Sequence, residues 1–303
     1  MIQIKKGRTY LVTGCSGFLG QILVERLLSL GAKVRGVARN EGKLIELHQK
    51  FPEIDYITGD ISDYSICVMA MKDVVGVFHL AAFKHVGLAE KQSKECIKSN
   101  ILGSLNILNL SLETKGLEFV LGISTDKAAQ VSGVYGATKL LMESLFLNFE
   151  QINDKVKYRL VRYGNVLYST GSVLCKWRKL LSEGEDIIVT DRNATRFYWT
   201  VDQAIDLIFN CLENAVNSKP FVPGMKACSL HNLLKAMQIK YGIWTFETDG
   251  ATDEYGPLES VCVSKVKEIG LQKGENLHEK ILEQGPASNE VEQFTVEELL
   301  EMI

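Results

Sequence analysis

Two clusters in this 303-residue chain pair residue types with a spacing that chemistry can use. The first is Tyr135-Gly136-Ala137-Thr138-Lys139. On a helix, positions i and i+4 share a face, which sets the Lys139 ammonium beside the Tyr135 phenol. A free tyrosine ionises near pH ~10, so bringing it to neutrality takes about 3 units, or about 4 kcal/mol. A neighbouring lysine reduces that demand by favouring the phenolate. Such a tyrosine is a base for an alcohol whose carbon gives up hydride. The second cluster is Ser124-Thr125-Asp126-Lys127-Ala128, just upstream. Thr125 can hydrogen-bond a substrate hydroxyl. Asp126 and Lys127 form an acid/base pair that simple alcohol oxidation does not need. The competing role is a helix cap, with Asp126 at a helix start and Lys127 in solvent; the chemical role is favoured.

A third motif holds phosphate. Thr13-Gly14-Cys15-Ser16-Gly17-Phe18-Leu19-Gly20 follows an apolar β run and opens an amphipathic helix. Its glycines, at 14, 17 and 20, let the backbone turn tightly and approach a pyrophosphate, while the helix N-terminus presents free N–H groups. A dinucleotide fold that prefers NAD places an acidic residue at the end of the second strand, and a basic one suits the 2′-phosphate of NADP. Here Arg39 stands there with Lys43 nearby, which points to NADP. Asp60 and Ile61 end the third β run, where Asp60 can accept from an adenine amino group or cap the next helix.

These residues need a scaffold, and the pattern supplies one. Short β-rich runs at 9–13, 33–38, 54–57, 75–80, 118–123 and 158–163 alternate with helical spacing, clearest at 19–30, 98–112 and 138–149. Nearly all-apolar strands suit a parallel sheet covered on both faces. The alternation predicts an α/β fold, a doubly wound parallel sheet with right-handed crossovers. Further helices are predicted around 173–181, 202–212, 230–237 and 296–302. The division expected is a dinucleotide-binding domain of residues 1–164 and 197–219, with a ligand-binding region of residues 165–196 and 220–303.

Bulk properties exclude some partners. The formal net charge is −3, which gives no electrostatic reason to expect nucleic acid or an anionic membrane. No apolar run reaches the length of a membrane span, and Glu25 and Arg26 interrupt the most hydrophobic early helix. The seven cysteines lack paired-ligand spacing and read as free thiols. A cytoplasmic protein without stable membrane insertion is expected. His79 and His85 lack a surrounding ligand set, so no metal is expected, and His79 reads as a core-strand histidine.

With these motifs in hand, the chain resembles an extended short-chain dehydrogenase/reductase. Within that group it is similar to the inverting UDP-N-acetylglucosamine 4,6-dehydratases of the capsule and flagellin-sugar type. Besides the three motifs above, the resemblance is carried by Phe78-His79-Leu80-Ala81-Ala82-Phe83-Lys84-His85, Glu95-Cys96-Ile97-Lys98-Ser99-Asn100 and Arg162-Tyr163-Gly164-Asn165-Val166. Thr195-Arg196-Phe197 and Gly274-Glu275-Asn276-Leu277-His278-Glu279 complete it. It implies redox-neutral dehydration of a UDP-sugar with inversion at C5. Tyr135 then deprotonates the C4 hydroxyl, Lys127 is the base at C5, and Asp126 protonates the departing C6 hydroxyl. Cofactor contacts are implied for Ala81, Ala82, Lys84 and Asn100. Substrate contacts are implied for Lys84, His85, Asn165, Ser172, Val173, Arg196, Lys273 and Glu275, and self-association as a dimer or hexamer is expected. The chain departs from the family at Gln272-Lys273, where Arg-Pro is usual, and at Asn276, which replaces a lysine. The stretch 241–264 is also longer and more irregular than the usual connection. Two rivals share the motifs. A UDP-sugar 4-epimerase leaves Asp126 and Lys127 without a task. A non-catalytic NADP-binding regulator is marked by loss of Tyr135 or Lys139, and both are present.

Overall fold

A computed structural model describes residues 2–241, 244–246 and 263–303. The irregular stretch 241–264 lies mostly outside the described residues. The chain begins β1 (Thr9–Thr13), α1 (Phe18–Ser29), β2 (Lys33–Ala38), α2 (Glu41–Lys50), β3 (Asp55–Thr58), α3 (Tyr64–Met71) and β4 (Gly76–His79). Then come α4 (Val86–Lys91), α5 (Ser93–Ile97), a π turn at Lys98–Leu102 and α6 (Gly103–Ser111). They lead to β5 (Phe119–Thr125), a 3₁₀ turn at Asp126–Ala128, α7 (Val134–Ile152) and β6 (Lys157–Tyr163). The second half holds β7 (Asn165–Val166), α8 (Val173–Glu183), β8 (Ile187–Val189), β9 (Thr195–Trp199), α9 (Val201–Asn214) and β10 (Pro220–Phe221). It ends with β11 (Ala227–Ser229), α10 (Leu230–Tyr241), β12 (Trp244–Phe246), β13 (Val263–Glu268) and α11 (Val296–Met302).

Among the described residues, seven strands form one sheet in the order β10-β6-β5-β4-β1-β2-β3. Every neighbour pair is parallel. This is the doubly wound sheet that the strand–helix alternation predicts. Its strands are apolar almost throughout because both faces are covered. On one face α1 and α9 pack through Leu23, Val24, Leu27, Ile205 and Ile208. On the other, residues of α3, α6 and α7 such as Met71, Ile107 and Phe146 complete a second core. Leu11, Val12, Val77, Phe78, Val120 and Leu121 are fully buried between them, each side chain contributing about 1.5–3 kcal/mol.

Three-stranded sheets of order β11-β9-β7 and β12-β13-β8 build the second region with α8, α10 and α11. Its core is Trp177, Leu181, Tyr198, Leu233, Met237 and Leu299. The division read from the pattern, at 196/197 and 219/220, runs through β9 and ahead of β10. Thr195–Trp199 pairs with β7 and β11, whereas Pro220–Phe221 returns to the large sheet beside β6. Among the described residues no helix is long and apolar enough to cross a membrane.

Candidate active site

Strand order reverses between β1 and β4, where successive connections leave toward opposite edges. In open α/β sheets the ligand crevice lies there, outside the carboxyl ends of the strands. A cleft of about 2130 Å³ opens at that place and runs into the second region. Single drug-sized sites occupy roughly 300–1,000 Å³, so this cleft has room for two ligands end to end. Ten lysines and arginines line it against five aspartates and glutamates, although the whole chain is net negative. Its walls therefore attract anions.

At one end lies the glycine turn. Gly14 has φ +72°, and a Cβ there would stand 2.9 Å from Ala81 N. At Gly20 a Cβ would come within 2.3 Å of Gly14 O. Gly17 caps α1 with no side chain to accept from its first-turn N–H groups, leaving them to a bound anion. The turn thus fits the pyrophosphate of a dinucleotide. Arg39 follows the end of β2, Lys43 lies in the first turn of α2, and Arg39 Nη1 reaches Asp60 at 3.6 Å. Partial burial opposes ionisation of Asp60, but hydrogen bonds from Ser62 and the charges of Arg39 and Lys98 hold its carboxyl below the ordinary value.

Thr13 works beneath this turn rather than in the cleft. It is fully buried, accepts from Ala81 N at 3.1 Å and lies 2.9 Å from His79 Nδ1. Burial pushes His79 down to about 3, so the ring is neutral. Thr13 can then donate to Nδ1, and Nε2–H to Ser104, whose hydroxyl donates to Asn100 O. Asn100 is likewise outside the cleft. Held in the π turn, its side chain accepts from Phe83 N at 2.7 Å and donates to Phe83 O at 3.0 Å. Thr13, His79 and Asn100 thereby position the Ala81–Lys84 wall from behind the cleft lining.

The candidate acid/base groups meet at the C-terminal end of β5 and the start of α7. Thr125 Oγ1 donates to Asp126 Oδ1 at 2.8 Å, and Lys127 Nζ donates to the same oxygen at 3.1 Å. Thr125, Lys127, Tyr135 and Lys139 line the cleft; Asp126 is fully buried behind them. Burial is the largest influence on Asp126 and raises its pKa against the pull of Lys127. Burial pushes the Tyr135 phenol up to about 12, with Lys127 and a hydrogen bond to Thr125 acting the other way. The i, i+4 spacing sets Lys139 on the same helical face as that phenol. Lys139 Nζ instead donates to Ile123 O at 2.7 Å, and burial brings it down to about 8. The charge of Lys127 works to lower the pKa of Tyr135.

One member of this cluster escaped the sequence reading. Glu279 is fully buried, and its Oε1 lies 3.3 Å from Lys127 Nζ and 4.0 Å from Arg196 Nε. Burial opposes its charge, but Lys127, Arg196 and Asn276 keep the carboxyl below its ordinary value. Desolvation works against the Lys127 ammonium, but Asp126 and Glu279 together raise its pKa. Glu279 ends the Gly274–Glu279 motif, so the signal was its type and place in that motif; its contact with Lys127 exists only in the fold.

At the other end of the cleft Asn165 and Arg196 come from β7 and β9, and Ser172 and Val173 from the start of α8. Ser172 caps that helix, accepting from Cys175 N. Arg196 Nη1 is committed to the carbonyls of Thr195 and Leu277, at 2.9 and 3.0 Å. Burial lowers the pKa of Lys84, and burial together with Lys84 and Lys176 lowers that of His85. Lys273 and Glu275 stand at the rim, Lys273 Nζ 3.3 Å from Glu90. The same rim segment is stitched to the loop before Tyr135, through Ser132 to Gly274 O and Asn276 to Gln130 O.

Comparison with known proteins agrees with this geometry. The model of a family described as "Polysaccharide biosynthesis protein" matches residues 10–298. A UDP-N-acetylglucosamine 4,6-dehydratase (inverting) of Campylobacter jejuni is 33% identical over 76% of this chain and 71% of its own length. A UDP-glucose 4-epimerase of Rickettsia bellii is 30% identical over 91% of this chain and 77% of its own. Among solved structures, Pen from Bacillus thuringiensis superposes with a TM-score of 0.83 at 29% identity, covering 92% of this chain and 82% of that one. The chain therefore belongs to the polysaccharide biosynthesis protein family, built on the extended short-chain dehydrogenase/reductase fold.

Proposed function

We propose that this protein is an NADP-dependent enzyme that removes water from a UDP-sugar, UDP-N-acetylglucosamine first, to give a 4-keto-6-deoxy sugar inverted at C5. The observation that carries the reading is one cationic cleft holding both the glycine turn and the Thr125–Asp126–Lys127–Tyr135 cluster. The glycine turn, Arg39 and Lys43 would hold the dinucleotide, which when bound would supply the hydride chemistry for C4 and C6.

The chain's own residues move the protons. Tyr135 takes the proton of the C4 hydroxyl, and the resulting 4-ketone acidifies C5–H. Lys127, as the amine, takes the C5 proton. Asp126 has its pKa raised by burial, the direction an acid needs. Both of its hydrogen-bond partners, Thr125 and Lys127, line the cleft, so its proton reaches the departing C6 hydroxyl through one of them. That hydroxyl leaves as water, and a solvent-derived proton delivered to the opposite face of C5 completes the inversion. Transfer across the 3.1 Å Lys127–Asp126 hydrogen bond turns an ammonium–carboxylate pair into an amine and an acid together. Both forms that the elimination needs then arise in one move.

A UDP-sugar 4-epimerase is the second reading, favoured by the 30% identity to the Rickettsia enzyme. Incubation with UDP-N-acetylglucosamine and NADP in D₂O, followed by proton NMR, separates the two. A 4-keto-6-deoxy product of L-arabino configuration with deuterium at C5 supports dehydration. An epimer retaining its 6-hydroxyl supports the second reading, and an unchanged sugar rejects this substrate.

A further inference from the structure

The Lys127 ammonium is held by two carboxylates, and simple acid/base division accounts for Asp126 alone. Glu279 is the unexplained one. A fully buried carboxylate is costly unless it is paired and hydrogen-bonded. Its Oε2 accepts from Asn276 at 3.2 Å, while its Oε1 accepts no hydrogen bond and only faces the charges of Lys127 and Arg196. The backbone pins it there. Glu279 N donates to Ser288 Oγ at 2.9 Å, Ser288 N donates back to Glu279 O at 2.8 Å, and Ser288 Oγ donates to Thr195 O at 3.0 Å. Leu277 O accepts from Thr195 N at 3.0 Å. This segment is thus laced to β9, and its carboxylate is delivered to a place that a loop alone would not hold.

We propose that Glu279 is a positioning residue that acts through Lys127, fixing its side chain and governing the pH at which its amine becomes free. The charged and titratable groups facing Lys127 are Asp126 on the 3₁₀ turn, Glu279, Arg196 and Tyr198 on β9, and Tyr135 on α7. Glu279 and Asp126 favour the ammonium, and Arg196 opposes it. Neutralising Glu279 leaves Lys127 with one carboxylate and an uncompensated arginine, so the amine forms at lower pH. Because Glu279 also raises the pKa of Asp126, its loss releases that proton more readily as well. The proposal takes from the dehydratase reading only that Lys127 works as a base.

The test needs no sugar. Wild type, Glu279→Gln and Glu279→Asp are acetylated with trace acetic anhydride across a pH series, and labelling of Lys127 is followed by mass spectrometry. Lys273 serves as the exposed reference and Lys139 as a second buried lysine of the same cleft. In Glu279→Gln the Lys127 midpoint falls by about 1–3 pH units, the scale set by one adjacent opposite charge. Lys139 stays in place, and Glu279→Asp returns Lys127 toward wild type. A Lys127 midpoint that does not move, or one that moves together with Lys139, overturns the assignment. If the midpoint shifts while no sugar is dehydrated, the control of Lys127 stands and the dehydratase reading falls.

Discussion

Arg162 and Glu143 meet in a two-pronged ion pair sealed inside the protein, Nε to Oε1 at 3.0 Å and Nη2 to Oε2 at 2.5 Å. Arg162 is on β6 and Glu143 on α7, the helix that carries Tyr135 and Lys139. Ser124 at the end of β5 donates to the same Glu143, and Arg162 Nη1 donates to Ile281 O at 3.0 Å. Two strands, helix α7 and the segment after Glu279 are therefore joined at one point.

Removing Glu143 strips the buried Arg162 of its two-pronged partner and leaves only the exposed Glu283 at 3.3 Å. Glu143→Ala should cost about 3–5 kcal/mol, read as a lower urea midpoint. A loss below about 1 kcal/mol would show that Glu283, which also reaches Arg162, takes over the charge.

Stability should also report on Lys139. Burial outweighs the pull of Glu143 and brings its pKa from 10.5 to about 8. Between those values the unfolded chain binds the proton and the folded one does not, so stability rises with pH across this window. Lys139→Met has no such proton to lose. The wild type should gain on that variant by up to about 1.4 kcal/mol per pH unit from pH 8 upward, with no gain below it. Urea titrations of both proteins from pH 7 to 10 measure this. A constant difference would place the Lys139 ammonium in a solvated site.

Cofactor choice should depend on Arg39, which is exposed at the cleft edge and leans on Asp60. A hydrogen bond to a charged group is worth about 1.5–3 kcal/mol. Arg39→Ala should therefore weaken NADP about 10- to 100-fold while NAD binding changes little, and added salt should narrow the gap. Equal losses for both dinucleotides, measured by calorimetric titration, would remove Arg39 from the 2′-phosphate site.

Local signals were legible because they are short. The turn at Gly14–Gly20 needs glycine where a Cβ would strike Ala81 or Gly14 itself, and that need is written in consecutive residues. The β runs at 118–123 and 158–163 were legible too, although Arg159 and Arg162 interrupt the second; which strands pair was not. Thr13 was read as part of the glycine motif and Asn100 as a contact implied by the resemblance, yet a strand or helix offers more than one side. Which side is used depends on His79, Ser104 and Phe83 packed behind them. Lys139 shares a helical face with Tyr135, but a long flexible side chain goes to the best acceptor within reach, and that is Ile123 O.

The sequence alone determined the class of fold, the glycine turn and the residue types available for acid/base chemistry. Periodicity of 2 or 3.6 and the spacing of a few residues suffice for those. Only the tertiary structure decided the charge relations. Lys127 stands between Asp126, its neighbour in the chain, and Glu279, brought from near the C-terminus by the backbone bonds of β9. Coulombic energy depends on distance and local polarity, and neither is a property of chain order.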